Sequence, residues 1–182
     1  MIEGLYGIVD AGFGDPLAQA RLLAEEGVTP IQLRCKGWPR AAVRNLALAC
    51  VELGPMLIVN DDAELALELG LFAHLGDGDG PGHGPHGRST HTLAQVTAET
   101  EAAYIGFGPV FYTGTKVTTW EPRGLLLLAE AVRASTVPVV AIGGITPDKL
   151  DDVRTTGAAG WVAVGAIWTA ANPRAVIRAM RR

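Results

Sequence analysis

Short runs of aliphatic and β-branched residues alternate with longer amphipathic segments along the entire sequence. LYGIVD gives way to PLAQARLLAEEG, PIQLRCK to AAVRNLALACVELG and MLIVND to AELALELG. The first member of each pair suits a strand and the second has the spacing of a helix with one apolar face. The rhythm continues through FAHLGD, a Gly-rich stretch, RSTHT, LAQVTAETE, YIGFGPVF, GLLLLAEAVRAS, VPVVAIGG, TPDKLDDVRTTG, GWVAVGAI and NPRAVIRAMRR, which makes eight strand candidates. VPVVAIGG, YIGFGPVF and GWVAVGAI are almost continuously apolar, as parallel strands covered by helices on a buried face must be. Eight β/α units with right-handed crossovers close most economically into a (β/α)8 TIM barrel, here a single domain over residues 1–182. An open doubly wound sheet would call for a GxGxxG turn after the first strand, and GIVDAGFGDP does not supply it.

Helix boundaries carry their own chemistry. Asp15-Pro16 and Thr146-Pro147 each place an N-capping side chain before a proline suited to the first helical position, and Gly27 and Gly157 stand where those helices should stop. The formal charge of −4 gives no basic footprint for nucleic acid. Arg174, Arg178, Arg181 and Arg182 read as cations at the C-terminus of a last helix. The N-terminal residues lack a signal-peptide pattern and no apolar stretch reaches about 18 residues, so a soluble, cytoplasmic protein without membrane contact is expected. Two cysteines, Cys35 and Cys50, are too few for a disulfide framework and are expected as free thiols.

In such a barrel the chemistry sits at the C-terminal strand ends. Gln32, Arg34 and Lys36 alternate with Ile31, Leu33 and Cys35, so two cations and an amide share one face. An inward-facing Arg and Lys need an anionic partner. The next strand ends in Asn60, Asp61 and Asp62, and the one after is followed by Asp77 and Asp79. Carboxylates from neighbouring strand ends suit Mg2+ bridging to phosphate oxygens, while helix capping by Asp61 or Asp62 is an equally good account of part of the cluster. Gly143, Gly144 and Gly165 let backbone N–H groups approach a phosphate after the seventh and eighth strands. Thr113, Thr115 and Lys116 add donors for a second anionic group. His74, His83, His86 and His91 fall in one window, but the GDGDGPGHGPHG segment around two of them is too glycine-rich to preorganise a transition-metal site.

Taken together, IQLRCK, LIVNDDAELALELG, HLGDGDGP, STHT, YIGFGPVFYTGTK and VPVVAIGGITPDKL resemble, in order and over nearly the whole chain, the thiamine phosphate synthase and thiazole tautomerase family. The resemblance is closer to the synthases, which join hydroxymethylpyrimidine diphosphate to thiazole phosphate and release pyrophosphate. It implies small phosphorylated substrates and Mg2+. Gln32, Leu33, Arg34, Cys35, Lys36, Asn60, Ser89 and Lys116 would then hold the pyrimidine diphosphate, with Arg34, Lys36, Ser89 and Lys116 closest to the chemistry. Asp61 and Asp79 would bind the metal, and Thr113, Gly114, Thr115, Gly144, Val164 and Gly165 the thiazole phosphate. The alternatives are a tautomerase using His91 as acid and base, and a barrel that binds phosphorylated thiamine precursors without coupling them. Cys35, Asp77 and Gly165 depart from the family pattern of an acid, a glutamine and a serine. The family's helix between the fourth and fifth strands is expected here as a Gly-rich loop from Gly80 to Gly87, which would leave Asp79 either mobile or ordered only with substrate. Oligomeric state is left open by the sequence.

Overall fold

In a computed structural model of the chain, which describes residues 2–76, 78–115 and 119–181, the first apolar run forms two short strands divided at Tyr6. These are β1 (Gly4–Leu5) and β2 (Gly7–Asp10). β2 pairs in parallel with β3 (Ile31–Arg34), whereas β1 pairs with the last strand, β9 (Gly160–Trp161). The changeover is carried by two hydrogen bonds: the Tyr6 N–H donates to the Trp161 carbonyl at 2.9 Å and the Gly7 N–H to that of Pro30 at 3.0 Å. Between β3 and β9 run β4 (Leu57–Asn60), β5 (Phe72–Leu75), β6 (His86–Thr90), β7 (Tyr104–Phe107) and β8 (Val139–Ala141), each parallel to its neighbours. The first strand therefore serves both edges of the sheet, and the eight-strand barrel expected from the sequence closes in chain order.

Helices α1 (Pro16–Glu25), α2 (Arg40–Val51), α3 (Ala63–Leu69), α4 (Leu93–Ala98), α5 (Gly124–Ala134), α6 (Leu150–Thr155), α7 (Val164–Trp168) and α8 (Pro173–Met180) fill the crossovers and the C-terminal end. Among the described residues no helix lies between β5 and β6, where the Gly-rich loop was expected. Asp77, Lys116 and Arg182 lie outside the described residues. No helix among the described residues is long and apolar enough to cross a membrane.

Two apolar layers follow from strand alternation. Tyr6, Ile8, Ile58, Tyr104, Val140 and Val162 fill the barrel interior, while Val9, Ile31, Leu33, Leu57, Ile105 and Phe107 join the larger cluster between sheet and helices. Gly87 makes the interior arrangement possible, because a Cβ there would lie 2.0 Å from the Tyr104 ring. Cys35 and Cys50 belong to the outer layer as free thiols, and burial pushes both up to about 11.

Several local expectations change. Asp15 caps α1 by accepting from the Leu17 N–H, but Thr146 makes no such side-chain cap and opens a 3-10 turn, Pro147–Lys149, before α6. Asp62, not Asp61, caps α3 through the Leu65 N–H at 2.8 Å. GWVAVGAI is not one strand: β9 ends at Trp161 and the same apolar run turns into α7 at Val164. The arginines do not simply answer a helix C-terminus, since Arg174 sits in the first turn of α8. Arg174 and Arg178 grip Glu26, and Arg174 also pairs with Glu25 at 2.6 Å. This fastens the last helix to the first where the barrel closes.

The Glu26 carboxyl is held down to about 2, first by hydrogen bonds from Arg178 and Arg174. A carboxylate with a lowered folded-state pKa stabilises the protein above the ordinary glutamate range and loses that contribution as pH falls toward the lowered value. Thermal unfolding of the wild type and of Glu26→Gln should therefore differ at neutral pH, with the wild type higher, and converge between about pH 4.5 and 2. A constant gap in Tm across that window would contradict the assignment.

Candidate active site

A cavity of about 320 Å³ opens at the C-terminal ends of the strands, against Ser89, Thr113, Gly144, Lys149, Val164 and Gly165 among others. A more open recess of about 410 Å³ adjoins it over Lys36, Trp38 and the Gly12–Phe13 turn. The two share Asp10, Arg34 and Thr115 as a common wall. This divided mouth can seat two ligands side by side.

The cations at the wall have partners within the chain. The Arg34 guanidinium pairs with Asp10, whose other carboxylate oxygen accepts from the Gly12 N–H at 2.9 Å. Gln19 fixes the backbone of Asp10 from both sides, with bonds of 2.8 and 3.1 Å. Arg34 is thus aimed before any ligand arrives. Lys36 Nζ lies 3.1 Å from Asp61 Oδ2. Asp61 has φ 65°, the one positive value outside glycine among the described residues. Asp tolerates the left-handed region better than most residues, but it needs support there. That support comes from Lys36 and from the Asp61 N–H donating to the His74 carbonyl at 2.9 Å.

Beneath the cavity a chain of polar side chains crosses the barrel. Gln32 Nε2 donates to the Tyr6 hydroxyl at 2.9 Å, and Tyr6 meets the Tyr104 hydroxyl at 2.8 Å. Tyr104 reaches His74 Nδ1 at 2.8 Å, and His74 Nε2 reaches Ser89 Oγ at 3.0 Å. Gln32 fixes one end of this chain as donor to Tyr6, and the contacts through Tyr104 and His74 carry it to the Ser89 hydroxyl at the cavity. Burial raises both tyrosines far above the ordinary phenol value, so they remain neutral donors. Gln32 is therefore a buried member of the interior network and lines neither cavity, unlike Arg34 and Lys36 on the same strand face.

The loop after β7 folds against the loop after β8. The Val110 N–H donates to the Ile142 carbonyl at 2.8 Å and the Phe111 N–H to that of Gly143 at 2.9 Å. Gly144 has φ 64°, and a Cβ there would stand 2.2 Å from the Tyr112 carbonyl. The Gly-Gly pair thus serves a close approach of two loops, which carries the Thr113–Thr115 segment over the cavity. Gly165 plays a related part, since a Cβ there would meet Thr115 Oγ1 at 2.7 Å. Lys149 Nζ donates to the Gly144 carbonyl at 3.2 Å and lies 4.7 Å above the Phe111 ring. His91 lines the same cavity, bonded through Nδ1 to the Gly108 carbonyl and stacked on Trp120.

Of the residues singled out in the sequence, Arg34, Ser89, Thr113, Gly114, Thr115, Gly144, Val164 and Gly165 share the enclosed cavity, and Lys36 lines the open recess. Leu33 and Cys35 are buried in the outer core, so only their backbone is available to a ligand. Asn60, Asp61 and Asp79 line neither cavity; Asp61 and Asp79 belong to the segments that follow the paired strands β4 and β5. Among the described residues no three His, Cys, Asp or Glu side chains gather as a metal site. Asp10 and Lys149 escaped the sequence reading. An acid ending a strand and a lysine in a helix-opening turn carry no signal until the fold places them at the mouth.

The family model described as thiamine monophosphate synthase matches residues 5–167. The chain is 42% identical to the thiamine-phosphate synthase of Anaeromyxobacter dehalogenans, over 99% of this chain and 87% of that protein. It is 36% identical to that of Herpetosiphon aurantiacus, over 96% and 93% respectively. Among solved structures, thiamine phosphate pyrophosphorylase from Pyrococcus furiosus superposes with a TM-score of 0.85 at 28% identity, covering 98% of this chain and 93% of the other.

The loop packing predicts a contrast between two glycines. Gly144→Ala should lower the unfolding free energy by about 2 kcal/mol or more, from left-handed strain and the clash with Tyr112. Gly114→Ala, whose Cβ would meet nothing within 4 Å, should stay within about 0.5 kcal/mol of the wild type. Denaturant titration of both variants checks this, and equal stabilities would contradict it.

Proposed function

The chain belongs to the thiamine monophosphate synthase family and has that family's transferase activity; on this premise we propose how its residues divide the work. The observation that carries the reading is the divided mouth, two recesses sharing the Asp10–Arg34 wall, which matches a reaction between two phosphorylated substrates. The pyrimidine diphosphate takes the side of Arg34, Lys36 and Asn60 and reaches past the wall to Ser89 in the enclosed cavity, with Gln32 acting from the interior and the backbone of Leu33 and Cys35 beside it. Lys116 joins this set on sequence resemblance. The thiazole phosphate takes the side of Thr113, Gly114, Thr115, Gly144, Val164 and Gly165.

The chemistry needs no protein nucleophile. As the bond between the pyrimidine methylene carbon and the diphosphate oxygen lengthens, negative charge grows on the departing diphosphate and positive charge on the electron-rich pyrimidine. Arg34, held by Asp10, presents its remaining N–H groups to the diphosphate without reorganising, and Lys36 and Lys116 add ammonium charge. Ser89, hydrogen-bonded to His74, places its hydroxyl toward the same group. The thiazole nitrogen then forms the new bond to the methylene carbon, and the mouth contributes by holding the two rings together and excluding water.

Asp61 and Asp79 fit Mg2+ in their chemistry: both are hard carboxylate donors on the segments that follow adjacent strands, and both would hold the ion together with phosphate oxygens. When bound there, Mg2+ would neutralise charge developing on the leaving diphosphate. The protein is proposed to act in the cytoplasm on small-molecule substrates, without nucleic acid or membrane partners.

With both substrates and Mg2+, thiamine phosphate and pyrophosphate should appear in equal amounts, and EDTA should stop both. Asp61→Ala and Lys116→Ala should each lower kcat by about 100-fold or more with the fold intact by circular dichroism. Product formation unaffected by EDTA, or near-normal turnover in either variant, would refute the assignment; isomerisation of the thiazole phosphate alone would favour the tautomerase use of His91.

A further inference from the structure

Between β5 and β6, where no helix lies among the described residues, one side chain takes over the anchoring role. Arg88 lies on β6 between Gly87 and Ser89, and Ser89 faces the interior, bonded to His74. Alternation along the strand sends Arg88 to the outer face, where a crossover helix would otherwise pack. Its guanidinium donates to the carbonyls of Asp79 at 3.2 Å, Gly80 at 3.2 Å and Gly76 at 3.4 Å. Behind it, Arg88 Nε lies 3.6 Å from Glu99 Oε2 at the end of α4. The other Glu99 oxygen accepts from the N–H groups of Glu101 and Ala102 at 3.1 and 2.9 Å, so this anchor is itself fixed. Within the turn, Asp79 Oδ2 accepts from the Gly76 N–H at 2.6 Å. Arg88 and Glu99 are each largely buried, with side-chain exposures of 19% and 17%.

We propose that Arg88 is a positioning residue for Asp79: its three carbonyl contacts hold the Gly76–Gly80 turn so that the carboxylate stands ready to share a divalent cation with Asp61. The proposal rests on the metal role given to Asp79 above. The physical case is entropic. A turn this rich in glycine loses much backbone freedom when it orders, and that loss falls on metal binding unless something else has already ordered the turn. A planar guanidinium can address several carbonyls at fixed angles, whereas an ammonium on a flexible stem cannot hold the same pattern. These contacts tie the turn to β6 and to Glu99 at the end of α4.

Arg88→Lys keeps the charge and most of the aliphatic stem and removes the fork. It should raise the Mg2+ concentration needed for half-maximal turnover by about 10-fold or more, while kcat at saturating Mg2+ returns to near the wild-type value. Amide hydrogen exchange of the metal-free, substrate-free protein supplies a readout independent of the reaction. Exchange at Asp79 and Gly80 should quicken in Arg88→Lys, with the strands of the barrel unchanged. A wild-type Mg2+ requirement in the variant, or unchanged exchange in the turn, would overturn the proposal. A wild-type enzyme that works equally well in EDTA would instead remove the metal role itself, and the proposal with it, whatever the exchange rates show.

Discussion

The fold depends on the closure at Tyr6. A parallel sheet can dispense with edges only if its first strand pairs on both sides, and here that strand does so in two pieces, Gly4–Leu5 toward Trp161 and Gly7–Asp10 toward Arg34. Closure dictates an interior that must be filled from all the strands, and it brings their C-terminal ends around one mouth. The ion pairs of Glu26 with Arg174 and Arg178 secure the same seam from outside. Tyr6 sits at the seam and is also a link in the hydrogen-bonded chain from Gln32 to Ser89, so the residue where the barrel closes is connected to a hydroxyl in the cavity.

At the mouth, each cation at the end of the second strand run is held by a carboxylate from another part of the chain: Arg34 of β3 by Asp10 of β2, and Lys36, two residues beyond β3, by Asp61 just after β4. These pairs answer in the free protein the need for anionic partners that the sequence raised. They also keep the cations aimed, which is what stabilising charge in a departing diphosphate demands. The glycines of the seventh and eighth loops act differently from the simple cradle expected of them. Gly144 and Gly165 first let Tyr112 and Thr115 come close, and the cavity wall is the product of that packing.

Much of this was readable from residue order because parallel strands buried on both faces must be apolar runs, and their ends must be where polarity begins. IQLRCK and LIVNDD show both features at once. The run GWVAVGAI misled because a buried strand and a buried short helix have the same composition, and only the ladder with β8 shows that pairing stops near Trp161. Asp10, Lys149 and Arg88 were missed for a common reason. Each acts through neighbours distant in sequence, and a single charged residue carries no pattern of its own. Asp62 shows the reverse case, a residue within a candidate metal cluster whose local geometry assigns it to a helix cap.

The central claim is that one mouth holds two phosphorylated ligands that meet at the Asp10–Arg34 pair. A crystal structure of the protein with Mg2+, pyrophosphate and thiamine phosphate tests it most directly. The account predicts pyrophosphate against Arg34, Lys36 and Ser89, with the metal between it and Asp61 and Asp79, and the thiazole phosphate beside Thr115, Gly144 and Gly165. Pyrophosphate bound beside Gly144 and Gly165, or a metal held away from both aspartates, would contradict it.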